Sequence, residues 1–253
     1  PDQDVVKLLE QEYELLTEDQ TSLPGTVSTA LEKAQLKVQR LIKKAIHEHK
    51  QEVTFTPMFP FADGPREYQK IAFENWKQNK QVGLFAMATG TGKTITSLNC
   101  LLEVYKKTGY YKAVILVPTI TLVNQWENEC KRFRFNNIIK VYSKRPKWKS
   151  DIESLHLQER IYGGEDKVSY VVIATYASFA KDGAFDLLNS LSSRAMLIAD
   201  EAHNMGSGGI RKKLSMIRYK RRIGLSATPD RQYDDVGNNA LLKFFGAEEK
   251  YTY

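Results

Sequence analysis

From residue 66 onward, short apolar runs alternate with longer segments whose apolar residues recur three or four places apart. The runs "VGLFA" (82–86), "KAVILV" (112–117), "VSYVVIA" (168–174) and "AMLIAD" (195–200) have the length and β-branched content of buried strands. Shorter runs at 138–142 and 221–225 bring the set to six. Between them the spacing predicts helices over 66–78, 93–107 and 119–133, and a short one near 150–161. A further short helix falls between 174 and 195, and a basic one near 210–218. Apolar strands alternating with helices predict an α/β fold: a parallel sheet with helices on both faces.

The first 60 residues follow a different pattern. Residues 3–19 read as an acidic amphipathic helix, with Val5, Val6, Leu8, Leu9, Tyr13, Leu15 and Leu16 on its apolar side. Pro24 and Gly25 break it. A second helical pattern, 28–49, carries Leu31, Leu36, Val38, Leu41, Ile42 and Ile46. The stretch "VTFTPMFPFADGP" (53–65) is too rich in proline for a helix and reads as a linker. The expected division is therefore 1–60, a helical extension and linker, and 61–253, the main domain.

Composition adds three points. With 42% hydrophobic and 26% charged residues in 253, the chain has an ordinary globular balance. No apolar run approaches the roughly 20 residues that cross a membrane, and no signal peptide is visible. The expectation is a cytoplasmic protein without a membrane partner, from a prokaryote first, or nuclear if eukaryotic. Cys100 and Cys130 lie in neither a metal-ligand nor a C-x-x-C spacing and read as free thiols. The net charge of +7 is unevenly spread: residues 131–149 hold eight bases and no acid, and 211–222 hold seven bases and no acid. Such blocks fit a polyanionic partner, and equally a solvated surface.

"MATGTGKT" (87–94) narrows the choice. It joins the strand "VGLFA" to a helix in which Ile95, Leu98, Leu102 and Tyr105 share a face, the setting a phosphate-binding loop requires. Gly90 and Gly92, with Thr89 and Thr91, let backbone amides approach phosphate oxygens, and the helix N-terminus adds partial positive charge. Lys93 can reach the β and γ phosphates, and the Thr94 hydroxyl can ligate Mg²⁺. The glycine usual six places before the lysine is replaced by Met87. The bland alternative is a glycine-rich surface turn. A second stretch, "AMLIADEAH" (195–203), ends an apolar strand on two carboxylates. At that tip Asp200 is placed to hold Mg²⁺, and Glu201 to orient and deprotonate an attacking water. Alone, such a pair is more often a helix cap. Downstream of a phosphate loop it becomes an ATP-hydrolysing set of Lys93, Asp200 and Glu201.

Together "MATGTGKT", "DEAH" and "LSATP" (225–229) resemble the first RecA-like motor domain of a superfamily 2 helicase, over roughly residues 60–253. That superfamily commonly lacks the first loop glycine, and this loop is similar to its type III restriction-subunit and XPB-like branches. The resemblance implies ATP and Mg²⁺ as cofactors. It implies nucleic acid as partner, DNA ahead of RNA, with restriction or antiviral defence among the roles. It carries adenine recognition to Arg66 and Gln69 in "REYQ" and backbone contacts to Pro118 and Thr119 in "VPTITLVNQW". It carries a second backbone contact to Thr175 and Tyr176 in "ATYAS", and coupling between the ATP site and the groove to His203, Ser226 and Thr228. It also implies a second RecA-like domain, in cis or in trans, bearing arginine fingers. After Thr228 the chain offers only Arg231, so the chain alone is expected to be a weak ATPase. The alternatives are an RNA helicase motor domain, an ATP-binding regulatory module without significant hydrolysis, and an unrelated P-loop kinase or transporter ATPase.

Overall fold

The computed structural model describes residues 56–161, 168–227 and 235–247. The helices expected at 3–19 and 28–49 lie outside these residues, as do Thr228 and Arg231. Six strands form one sheet: β1 (Val82–Ala86), β2 (Lys112–Val117), β3 (Ile138–Val141), β4 (Tyr170–Thr175), β5 (Met196–Asp200) and β6 (Arg221–Ser226). Their order is β1-β6-β5-β2-β4-β3, and every pairing is parallel. All residues of β2, β4 and β5 are buried. That burial on both faces is why these strands read as continuous apolar runs rather than alternating ones.

Each face of the sheet has its own core. On one, α1 (Glu67–Gln78), α2 (Lys93–Thr108) and α3 (Ile120–Arg132) bury Trp76, Leu98, Leu101, Val123 and Trp126 against Phe85, Ile115, Val117 and Ile198. On the other lie α4 (Trp148–Ile161), α5 (Tyr176–Phe179), α6 (Asp182–Asn189), α7 (Gly208–Arg211) and α8 (Asp235–Phe244). There Ile152, Phe185, Leu188, Leu241 and Phe245 pack on Leu84, Val114, Val172 and Leu197. Gly224 in β6 is required by close approach. A Cβ there would sit 2.7 Å from Leu84 Cδ1, 3.0 Å from Phe245 and 3.1 Å from Ala202 Cβ.

Strand order decides what becomes neighbour to what. β5 and β6, last in sequence, insert between β1 and β2. The C-terminal tips of β1, β6 and β5 therefore adjoin, with Ala86 opposite Ser226 and Leu225 opposite Asp200. On the other side the tips of β2 and β4 adjoin, Val117 opposite Thr175.

The basic helix expected near 210–218 does not form. Its place is taken by α7 and a 3₁₀ turn, Leu214–Met216. Ile210, Leu214 and Ile217 are buried at spacings of four and three, which mimics a helix face. Asn189 breaks it: its side chain donates to Met216 O (2.9 Å) and accepts from Arg218 N–H (3.0 Å), taking backbone groups a helix needs. The single short helix expected before β5 is two, α5 and α6. Helix α8 has no counterpart among the expected elements, because "DVGNNALLKF" mixes a glycine and two asparagines, poor helix formers, with the Leu241 and Phe244 that bury it.

Candidate functional site

The loop after β1 keeps the chain in strand register through Met87, whose N–H donates to Ser226 O (3.0 Å). Met87 is 4% exposed and fills the core on the α1–α3 face, which is what a side chain at this position does that glycine cannot. Gly90 (φ +79°) and Gly92 (φ +88°) then turn the backbone through the left-handed region into α2. Thr89 and Thr91 are exposed on the loop. The Thr91 hydroxyl donates to Ala88 O (2.7 Å), and the Tyr68 hydroxyl pins the loop by donating to Thr91 O (2.7 Å).

Behind the loop, Gln69 is buried at 4% exposure. Its amide oxygen accepts from Arg66 N–H (2.9 Å), and its amide nitrogen lies 3.5 Å from the Thr96 hydroxyl. Arg66 itself is exposed at the start of α1.

Lys93 opens α2 with its side chain 10% exposed. Its ammonium is buried without a hydrogen-bond acceptor, 3.8 Å from Glu201 Oε1. A buried ammonium in a cradle of left-handed glycines at a helix N-terminus is a site shaped for an anion. Thr94 follows it, half-buried.

Asp200 is 8% exposed, and both its oxygens are held. Oδ2 accepts from Trp126 Nε1–H (2.9 Å), and Oδ1 from Glu201 N–H (3.0 Å). Burial, followed by the repulsion of Glu201, pushes the Asp200 carboxyl above its ordinary range, although the Trp126 bond and Lys93 pull the other way. Glu201 has φ +49°, a left-handed conformation uncommon outside glycine. Its carboxylate lies between Lys93 and His203, whose Nδ1 is 3.5 Å away. Asn204 braces the turn, donating to Glu201 O (2.9 Å) and lying 3.3 Å from His203 Nε2. Ser226 is fully buried between the loop and the acidic pair, and its hydroxyl makes no hydrogen bond there.

The two motifs expected to contact a nucleic-acid backbone meet in one cleft. Pro118, Thr119, Tyr142, Ser143, Thr175 and Lys181 line a cleft of about 240 Å³ at the tips of β2, β3 and β4. Thr119 caps α3, accepting from Leu122 N–H (3.3 Å), and Thr175 caps α5, accepting from Ser178 N–H (3.3 Å). Tyr176 does not join them. It is 7% exposed, and its hydroxyl donates to Asp200 O (2.8 Å). Burial and the charges of Asp200 and Glu201 keep that phenol protonated well above its ordinary range. A second cavity, about 270 Å³ beside β3, holds none of the motif residues, and its Arg145 and Asp151 pair with each other at 3.1 Å.

The basic blocks are partly neutralised within the chain. In the first, Lys131 and Lys140 each pair with Glu127 (2.7 Å), and Arg132 pairs with Glu129 (3.0 Å). Burial acts to raise the Glu127 carboxyl, but the bonds from these two lysines outweigh it and hold it low. In the second, Lys213 pairs with Asp182 (2.6 Å). Arg221 donates to Gln81 (3.0 Å) and Arg194 O (2.6 Å) at the start of β6, at the end of the strands opposite the cleft.

Among the described residues no three His, Cys, Asp or Glu side chains cluster to hold a metal. A hard cation here would draw on Thr94, Asp200 and ligand phosphate oxygens, which suits Mg²⁺ rather than an all-protein cage. No described helix is long and apolar enough to cross a membrane. Trp126, Tyr176, Tyr68 and Asn204 take places in the site that sequence reasoning does not assign them. Three of them lie inside quoted motifs, Tyr68 in "REYQ", Trp126 at the end of "VPTITLVNQW" and Tyr176 in "ATYAS", and Asn204 directly follows "DEAH".

Comparison with known proteins adds the lineage. The family model described as "Type III restriction enzyme, res subunit" matches residues 63–231. The DNA 3'-5' translocase XPB2 of Sulfurisphaera tokodaii is 29% identical over 178 residues, 70% of this chain and 33% of that protein. The chain thus spans about a third of the length of this curated relative. A nuclease-deletion mutant of the type ISP restriction-modification enzyme LlaGI, solved with a DNA substrate mimic, matches with TM-score 0.52 and 25% identity. That match covers 68% of this chain and 19% of the other. The Pyrococcus furiosus Hef helicase domain matches with TM-score 0.54 and 20% identity, over 74% of this chain and 38% of the other, and shares the RecA-like fold.

Proposed function

The chain belongs to the type III restriction enzyme Res-subunit family, and on that premise we propose that it is the ATP-binding motor domain of a DNA translocase or helicase. The observation that carries the reading is the Lys93 ammonium. It is buried without an acceptor, at the mouth of the Gly90–Gly92 cradle and 3.8 Å from Glu201. Desolvating a cation without a hydrogen bond is expensive, and a triphosphate in the cradle supplies the missing acceptors.

The residues then divide the work. Amides of the Gly90–Thr94 turn and the Lys93 ammonium hold the β and γ phosphates. Thr94 and Asp200 would hold Mg²⁺, which would neutralise charge on those phosphates. Glu201 orients a water and takes its proton as the oxygen attacks the γ-phosphorus and the bond to the β-phosphate oxygen breaks. Arg66, exposed at the start of α1, packs on the adenine. Gln69 reaches the base edge by giving up its long contact to Thr96. DNA lies over Pro118, Thr119 and Thr175, and Lys181 is the cation on that cleft. His203 and Ser226, with Thr228, transmit nucleotide state to the cleft. A second RecA-like domain, in cis or in trans, supplies the arginine that stabilises charge developing on the γ-phosphate. A module that binds without hydrolysing is disfavoured by the placement of Glu201 against Lys93.

The test is calorimetric titration of Mg–ATP into the wild-type chain and Lys93→Ala, with duplex DNA binding followed by anisotropy. One nucleotide site weakened at least tenfold by the substitution, with DNA binding retained, is expected. Equal affinities refute the loop assignment.

A further inference from the structure

We propose that Trp126 is a positioning residue: it aims the Asp200 carboxylate and ties it to the nucleic-acid cleft through α3. The inference rests on the reading of Asp200 as the Mg²⁺-binding residue. Trp126 is 2% exposed in the apolar core, where any large aromatic ring would pack. A buried indole N–H needs an acceptor. Of the groups within the fold, it takes Asp200 Oδ2, 74 residues away in sequence, at 2.9 Å. The other oxygen is taken by Glu201 N–H at 3.0 Å. With each oxygen holding one donor, the carboxylate plane is fixed, and its remaining lone pairs stay free for a cation. A donor that orients a metal-binding group in this way is typically worth tenfold to a hundredfold in metal affinity.

The same indole reaches back to the cleft. Helix α3 is capped by Thr119, which lines the cleft, and Trp126 follows two turns later on a helix anchored by buried Val123 and Cys130. A shift of Thr119 on a DNA backbone therefore moves the donor of Asp200 as a rigid body. Thr175, across the cleft, is followed directly by Tyr176, whose hydroxyl donates to the Asp200 carbonyl at 2.8 Å. Each cleft threonine is thus joined to the acidic residue by the helix it caps. The Ser226 hydroxyl, placed between loop and acid pair, makes no such bond.

Trp126→Phe keeps the ring and removes the donor. The experiment measures binding of a fluorescent ATP analogue by the whole chain as Mg²⁺ is titrated. Trp126→Phe should need about 10- to 100-fold more Mg²⁺ for half-maximal effect. Its affinity for the analogue in EDTA should match wild type, because Lys93 and the glycine cradle are untouched. A structural role alone would lower both. A second measurement uses the unsubstituted site and stands if Trp126→Phe fails to fold. The ¹⁵N spectrum of the wild-type chain has three indole N–H signals, from Trp76, Trp126 and Trp148. The Trp126 signal, assigned with Trp148→Phe and Trp76→Phe, should move on adding Mg–ATP and on adding duplex DNA. A wild-type Mg²⁺ requirement in Trp126→Phe, or an unmoved Trp126 signal on Mg–ATP binding, overturns the inference. Failure of the wild-type chain to bind the analogue at all overturns the nucleotide-site reading, and this inference with it.

Discussion

Replacing Lys93 by methionine should make the ligand-free chain more stable and a poorer nucleotide binder. Its ammonium is 3.8 Å from Glu201 Oε1, and the side chains are 10% and 31% exposed. At an effective dielectric near 20, that separation gives about 4 kcal/mol of attraction. Desolvating an ion costs several kcal/mol, and no hydrogen bond to the ammonium offsets it. The two terms nearly cancel, with the balance against the charge. Methionine keeps the stem's volume and removes the desolvation, while Glu201 stays partly hydrated beside His203. The expected gain is about 1 kcal/mol, or a rise in Tm of about 2–4 °C for a domain this size. With Mg–ATP the sign reverses. A lost contact to a charged acceptor costs about 1.5–3 kcal/mol, so Kd should rise about tenfold to a hundredfold. Thermal melts without ligand and calorimetry with Mg–ATP read the two effects separately. A Tm several degrees lower in the ligand-free Lys93→Met chain would refute the reasoning, since it would make Lys93 a structural ion-pair member rather than an ammonium held for a ligand.

Met87→Gly, which restores the commoner loop sequence, should lower stability by about 2–5 kcal/mol from lost core packing and leave Mg–ATP affinity within a few-fold, by melts and calorimetry. Gly224→Ala should cost about 1–3 kcal/mol by overpacking against Leu84, Phe245 and Ala202, visible as a lower Tm at unchanged DNA affinity per folded molecule. In salt titrations of duplex binding, Lys181→Ala should flatten the slope of log K against log salt by about 0.9, one phosphate contact. Arg221→Ala, at the opposite end of the strands, should leave that slope alone.

Sequence pattern locates the strands because β2, β4 and β5 are buried on both faces, which leaves each an unbroken apolar run too short for a core helix. The glycine-rich loop after β1 and the acidic pair at the end of β5 can be located because each is a short contiguous stretch at a strand tip. What brings them together is not local. β5 and β6 insert beside β1, and no property of residues 195–226 announces that order. The Trp126–Asp200 bond depends on it and is invisible in the sequence for that reason. The segment 210–218 misleads because burial of Ile210, Leu214 and Ile217 imitates helical spacing, while the Asn189 side chain that interrupts it comes from α6. The basic blocks mislead in degree. Lys131, Arg132 and Lys140 spend their charge on Glu127 and Glu129, acids just upstream of the first block. Thr119 and Thr175 fall in one cleft because Thr175 ends β4 and Thr119 follows β2, strands whose tips are paired, whereas the ring of Tyr176 turns inward to Asp200.

Steady-state ATP turnover, with and without duplex DNA, tests the proposed mechanism most directly: that Lys93, Asp200 and Glu201 act on a bound nucleotide whose γ-phosphate charge is stabilised by an arginine of a second RecA-like domain. The chain alone should bind Mg–ATP yet hydrolyse it slowly, with little response to DNA. Supplying the second RecA-like domain should raise turnover by on the order of 10³–10⁵, the contribution of an arginine finger in related phosphoryl transfers, and make it DNA-dependent. Glu201→Gln should then abolish turnover while leaving nucleotide binding intact. Turnover by the chain alone equal to that of the two-domain form, or undiminished in Glu201→Gln, would contradict the account.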